Sequence, residues 1–219
     1  MFDEVVLKML GEGVLETLYM TLVSTALAYV LGLPIGIALV VTDKQGIRPN
    51  KGVNSVLGII VNIVRSVPFL ILLIALTPFT RFVLGTSIGS TATVVPLVIG
   101  AAPFIGRLVE SSLKEVDKGV IEAAHSMGAS TMQIVRKVLL PEARPSLITG
   151  AAIAVTTILS YSAMAGIVGG GGLGDIAIRY GLYRYQSDIM FITVALLVIL
   201  VQVLQEVGTW LARLSDRRR

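Results

Sequence analysis

The chain has 219 residues, of which 54% are hydrophobic and 15% charged, with mean hydropathy +0.85 and net charge +4. A soluble domain carries about a quarter charged residues, so this composition excludes one and indicates an integral membrane protein. Cysteine is absent and His125 is the single histidine, which excludes disulfides and cysteine nucleophiles and gives no basis for a metal site.

The N-terminal MFDEVVLKML is acidic where a secretory signal would be basic, so no cleavage is expected. Five apolar runs follow, each long enough for a bilayer core of roughly 30 Å, which takes about 20 helical residues. The first covers approximately residues 14–41 and holds Gly32 and Pro34, which predict a kink. A polar turn follows at 42–51. The second run, roughly 56–79, contains Asn62, Arg65, Ser66 and Pro68. Arg65 has two readings: an interfacial residue whose stem snorkels to the inner surface, or an intramembrane ion used in gating or helix packing. Residues 80–91 are rich in Gly, Ser and Thr and form the opposite turn.

The third run, approximately 92–109, carries Pro96, Gly100 and Pro103, and interrupted spans of this kind often line a pathway. The fourth, about 145–168, is dotted with Thr156, Thr157, Ser160, Tyr161, Ser162 and Met164. It ends in a glycine run at 169–174. A phosphate loop there would need Gly-Lys-Ser/Thr, and Asp175 stands instead, so the run reads as flexible gate backbone. The fifth run, roughly 189–211, is uniformly aliphatic and predicted to face lipid, with Glu206 as an interface residue.

Lysines and arginines sort by alternate loops. Lys44, Arg48, Lys51, Arg107, Lys114, Lys118, Arg136, Lys137, Arg144, Arg213 and Arg217 to Arg219 fall on one side. Lys8, Arg81, Arg179 and Arg184 fall on the other. The basic side is cytoplasmic by the positive-inside rule, which puts the N-terminus outside and the C-terminus inside. Sorting by side rather than in one stripe also argues against nucleic acid as a partner.

The segment 122–141, EAAHSMGASTMQIVRKVLLP, lies between the third and fourth runs. Gly128 can close one short helix, and Ser130 with Gln133 can open the next through a capping box. Met132, Ile134, Val135, Val138 and Leu139 fall on one side at 100° per residue, with Gln133, Arg136 and Lys137 opposite. Pro141 is predicted to stop the helix, and His125 reads as a surface residue. The pattern suits an interfacial amphipathic linker, which many membrane proteins have.

The spacing of Glu122-Ala123-Ala124, Gly128, Val138 and Leu140-Pro141 resembles the EAA signature of ABC importer membrane subunits, with Val138 in place of the usual Ile. Outside it, the stretches NIVRSVPF (62–69), TPFTR (77–81), GTSIG (85–89) and SYSAMAG (160–166), with the glycine run into Asp175, are similar to the methionine-uptake permease subfamily. The resemblance implies an all-α integral membrane fold, the type I importer permease: a single domain over 1–219 with five transmembrane helices and a cytoplasmic coupling helix at about 118–141. It implies that the coupling residues seat in a groove of a cytoplasmic ATPase that binds the ATP and magnesium. A second copy of the chain, two ATPases, an extracytoplasmic binding protein and the bilayer of a bacterial cytoplasmic membrane are the implied partners. This chain would bind no cofactor and catalyse no chemical step.

Arg65, Pro68, Ser160, Tyr161 and Met164 are the candidate pathway residues; for Met164 a soft thioether suits a sulfur-bearing solute, and ordinary packing between helices is the other reading. A secondary transporter would bring intramembrane acids for ion coupling. The sequence places almost none there, and it shows neither a second nucleotide-type loop nor the clustered polar site of a membrane enzyme. An importer of another amino acid or small solute, and a channel working without an ATPase, are the remaining alternatives.

Overall fold

The computed structural model describes residues 4–215; Arg217, Arg218 and Arg219, used above for orientation, lie outside the described residues. Among the described residues every regular element is helical. They are α1 (Glu4–Val41), α2 (Lys51–Ser66), α3 (Phe69–Ala75), α4 (Thr77–Leu84), α5 (Ser90–Lys114), α6 (Lys118–Ser126) and α7 (Thr131–Ile134). A π-helical turn (Val135–Leu139), α8 (Leu140–Glu142), α9 (Arg144–Ala165), a 3-10 turn (Gly166–Val168) and α10 (Gly172–Ile176) follow. A second π-helical turn (Ala177–Leu182) and α11 (Ser187–Ser215) complete the order.

Four stretches are long and apolar enough to cross a bilayer: Glu4–Val41, Ser90–Lys114, Arg144–Leu182 and Ser187–Ser215. The second apolar run is not one helix. It breaks at Pro68 (φ −56°, ψ 133°), and α2 with α3 makes a fifth span only if the bent pair counts as one. Proline has no N–H and disfavours a helical residue before it, which accounts for the break. Pro34 has no such effect, since α1 runs unbroken through it. Likewise α5 continues through Pro96 and Pro103 to Lys114, so the third run is not interrupted and extends past its expected end. The expected turn at 80–91 is shorter than its composition suggests. Thr77-Pro78 opens α4, proline being favourable in a first turn, and Gly85 closes it at φ +76°.

Packing divides the chain into two compact units. One comprises 4–28, Val67–Ala101 and Val155–Gln205. Its core joins Leu10 of α1, Leu173 and Ile176 of α10 and Ile189 of α11. The glycine run is packed here and is not open, flexible backbone. A Cβ on Gly174 would overlap the Ala163 carbonyl. The Gly172 N–H donates to the Glu16 carboxylate at 2.6 Å, and the Leu173 N–H to Thr17 Oγ1 at 2.9 Å. Glu16 lies within the first apolar run, so it joins Glu206 as an acid that the sequence places in a span.

The other unit comprises Tyr29–Ser66, Ala102–Ala154 and 206–215. Here Gly32 and Gly36 set α1 against α5, a small-xxx-small spacing that lets backbones approach. A Cβ on Gly36 would stand 2.6 Å from the Gly106 carbonyl oxygen and from Val109. In the most apolar window of α11 only 11% is buried, against 61% in α5, consistent with the lipid-facing reading of the fifth run.

Candidate functional site

The 118–141 segment is built from two capped helices. Asp117 opens α6 by accepting the Gly119 N–H at 2.7 Å. Gly128, at φ +80°, closes it. Its N–H donates to the His125 carbonyl (2.9 Å), and the Ala129 N–H to that of Ala124 (3.1 Å). This paired arrangement satisfies carbonyls that a helix end would otherwise leave bare. The predicted capping box of α7 is present: Ser130 N–H donates to Gln133 Oε1 at 2.8 Å, and Gln133 N–H to Ser130 Oγ at 3.4 Å.

The exposed surface of the segment includes Glu122, Ala123, His125, Ser126, Met127 and Gly128, while Ala124 is buried beneath them. In the second helix Ile134, Val135 and Leu139 are buried, Val138 and Leu140 half-buried, and Gln133, Arg136, Lys137 and Pro141 exposed. Met132 was expected on the apolar side and is instead exposed. The other four positions expected on that side, Ile134, Val135, Val138 and Leu139, are buried or half-buried, and Gln133, Arg136 and Lys137 opposite them are exposed, so the face stands apart from Met132.

Pro141 does not stop the helix. The chain continues through α8 into α9, with Ala143 N–H donating to the Leu139 carbonyl (3.0 Å) and Leu147 N–H to that of Ala143 (2.9 Å). In a regular α-helix the ring would meet the carbonyl four residues back. The π turn just ahead, in which Leu140 N–H donates to the Val135 carbonyl, relieves that clash.

Lys118 Nζ donates to Gln45 Oε1 at 2.6 Å, tying α6 to the 42–50 turn. A cleft of about 730 Å³ opens there, lined among others by Val40, Asp43, Lys118, Glu122 and His125. The Asp43 carboxyl is held below its ordinary range, first by the Gln45 backbone N–H and then by the Lys114 ammonium.

The pathway candidates separate. Arg65 is exposed in the last turn of α2 and belongs to the unit containing the 118–141 segment. Pro68, Ser160, Tyr161 and Met164 belong to the other unit. Ser160 and Met164 share an apolar cleft of about 560 Å³, walled on α11 by Leu197, Val198, Val201 and Gln202. Ser160 Oγ donates to the Thr156 carbonyl at 3.1 Å. Tyr161 is half-buried and stacks on Phe69, next to the Pro68 break.

The sequence reading missed a buried acid. Glu110 lies within α5 with its side chain 10% exposed, accepting from Arg107 Nη1 at 2.6 Å and Lys114 Nζ at 2.9 Å. The signal was available as Arg107, Glu110 and Lys114 at i, i+3 and i+7, a run of mutual neighbours on one helix face. Among the described residues no cluster of three or more His, Cys, Asp or Glu side chains could hold a metal ion.

Comparison with known proteins gives one family. The pattern of the binding-protein-dependent transport system inner membrane components matches residues 29–219. The chain is 53% identical over 203 residues to the "Probable D-methionine transport system permease protein MetI" of Vibrio cholerae serotype O1, covering 93% of this chain and 90% of that one. It is 46% identical over 217 residues to the "Methionine import system permease protein MetP" of Bacillus subtilis, covering 99% and 98%. A solved structure described as inward-facing conformations of the MetNI methionine ABC transporter superimposes with TM-score 0.97 at 49% identity, over 99% of this chain and all of the matched chain (100%).

Proposed function

The chain belongs to the family of binding-protein-dependent transport system inner membrane components, and from that premise we propose that it is the membrane-spanning subunit of an ATP-driven importer of methionine. The observation that carries the reading is the doubly capped 118–141 segment, which holds Glu122, Ala123 and Gly128 on an exposed surface in a chain whose close relatives are named for methionine transport.

In this reading α2 and α3 together make one broken span, so a single permease domain crosses the membrane five times. The N-terminus lies outside and the C-terminus in the cytoplasm. The coupling helix presents Glu122, Ala123 and Gly128 to a groove in an ATPase, with Ala124 packed beneath them and Val138, Leu140 and Pro141 fixing the second half of the segment. Two copies of the chain work with two ATPases, which hold the ATP and magnesium, and an extracytoplasmic binding protein delivers substrate. ATP binding closes the ATPase pair and draws the coupling helices together, and the spans turn toward the outside; hydrolysis resets them. This chain performs no chemical step and couples one conformational equilibrium to another. Arg65, Pro68, Ser160, Tyr161 and Met164 serve the pathway, with Met164 offering its thioether in the lining of the apolar cleft.

The test is ATPase stimulation in the reconstituted complex. Methionine-loaded binding protein should raise hydrolysis above the basal rate, and other loaded binding proteins should not. Stimulation by a different loaded protein alone would reassign the substrate. Uptake that persists without nucleotide would overturn the importer reading in favour of a channel.

A further inference from the structure

We propose that Glu110 and Gln45 are positioning residues of a hydrogen-bonded charge relay that transmits displacement of the 118–141 segment to α5 and α2 during transport; the inference rests on the importer reading above. The links can be followed atom by atom. Lys118 of α6 donates to Gln45 Oε1 (2.6 Å) in the 42–50 turn. The Gln45 N–H donates to Asp43 Oδ1 (3.2 Å), and Asp43 Oδ2 accepts from Lys114 (3.1 Å). Lys114 also donates to Glu110 Oε1 (2.9 Å), whose other oxygen takes Arg107 (2.6 Å). Arg107 extends its second arm to Asn62 Oδ1 (2.8 Å) and the Gly58 carbonyl (3.5 Å) on α2. Asn54 closes the ring from α2 back to the turn, donating to the Leu39 carbonyl (2.8 Å) and Thr42 Oγ1 (3.2 Å).

Three features set this chain apart from ordinary surface pairing. First, each cation is shared between two elements: Lys114 bridges α5 to the turn, and Arg107 bridges α5 to α2. Second, the hub is a buried carboxylate, and a buried charge persists only where it is paired and hydrogen-bonded. Glu110 has both oxygens occupied by cations, so neither cation can withdraw without exposing the carboxylate's need for the other. Third, the links are directional. A hydrogen bond weakens steeply once distance or angle leaves a narrow window, whereas apolar contact is non-directional and tolerates sliding. When α6 moves, the turn and α5 must therefore follow or the chain must break. The Gln45–Lys118 bond is the point where the segment enters the relay.

The experiment uses the full complex in proteoliposomes with loaded binding protein, and reads substrate taken up per ATP hydrolysed alongside ATPase co-purification. Gln45→Leu removes the entry acceptor at an exposed turn where folding is not at stake. Gln45→Glu restores it as an ion pair with Lys118. Glu110→Gln discharges the hub. We expect Gln45→Leu and Glu110→Gln to retain the ATPase but lower the uptake-to-hydrolysis ratio by at least about fivefold, the low end of coupling between sites. Gln45→Glu should keep the wild-type ratio. An unchanged ratio in Gln45→Leu overturns the relay, as does a fall of equal size in Gln45→Glu. A merely structural role would lower membrane level or attachment without moving the ratio. Failure of the unsubstituted complex to couple ATP to uptake overturns the importer reading instead, so the two failures are distinguishable.

Discussion

Tyr161 of α9 lies flat against Phe69 at the start of α3, ring centroids 4.2 Å apart and planes within 4°. The stack pins the helix that begins just after the Pro68 break. Stacked pairs contribute about 0.5–1.5 kcal/mol beyond the area they bury. Tyr161→Phe should keep melting temperature in detergent, and Tyr161→Ala should lower it. If the phenol hydroxyl also meets substrate, Tyr161→Phe will lose uptake at unchanged stability; full uptake by Tyr161→Phe together with loss in Tyr161→Ala would assign the residue to packing alone.

At Gly128 an added Cβ would meet nothing within 4 Å, yet the residue holds φ +80°. The cost of a side chain there is conformational, on the order of 1 kcal/mol or more, unless a partner occupies the space. Gly128→Val should reach the membrane at normal levels and lose ATPase attachment or uncouple hydrolysis from uptake. Gly128→Asn tolerates the left-handed backbone, so it separates the two causes. Normal coupling in Asn but not Val points to the turn, and failure of both points to an occluded docking surface. Wild-type behaviour in both would leave the segment as an interfacial linker.

Gly36 offers the opposite case, with the Gly106 carbonyl and Val109 only 2.6 Å from a built Cβ. Backbone cannot yield as a side-chain tip can. Gly36→Val should destabilise the fold by about 1–3 kcal/mol, as overpacking does, seen as reduced yield and melting temperature. Gly11, also in α1, has open space around it, and Gly11→Ala should not destabilise. Equal behaviour of the two variants would mean that the α1–α5 approach is looser than described.

The lowered Asp43 carboxyl sets a pH dependence of known sign. Its stabilising bonds to the Gln45 N–H and Lys114 are fully present above the unfolded carboxyl value of about 3.9 and are lost as pH falls through the lower folded value. Wild type should therefore melt above Asp43→Asn at neutral pH, with the gap closing in acid. A gap that is constant with pH would show that the carboxylate's charge plays no part.

The chain's lack of cysteine makes labelling of single-cysteine variants clean. Thr86→Cys should react with an impermeant reagent from outside, and Lys44→Cys and Ser126→Cys only from inside. Reversed labelling would invert the orientation and remove the segment from the cytosol.

What the sequence disclosed was local. The Ser130 and Gln133 box and the Gly128 cap depend on residues within a few positions, so spacing alone reveals them. The approximate spans depend on hydropathy and were legible too, apart from the break at Pro68. Pro96 and Pro103 do not interrupt α5, because a proline's effect depends on whether neighbouring helices compensate for the missing bond. Glu110 lies one residue past the end of the third apolar run, and a charge at such a boundary looks solvated. Its two partners, Arg107 and Lys114, stand on α5 itself, and only the groups those cations reach in turn, Asn62 on α2 and Asp43 in the 42–50 turn, lie outside any window on α5.

The π turn at Val135–Leu139 also bears on how this segment can vary in length. Such a turn carries one residue more than the α ladder needs. Elsewhere that surplus would make the region forgiving, since losing a residue would simply restore an α-helical turn. Here Pro141 follows one residue after the turn, beyond Leu140. Deleting one position from 135–139 would return the proline ring to the carbonyl four residues behind it, a clash of about 3 kcal/mol or more. The interval between Gly128 and Leu140-Pro141 is therefore a count enforced by the backbone itself. Insertions and deletions in relatives should avoid this interval, even where individual residues within it are free to change.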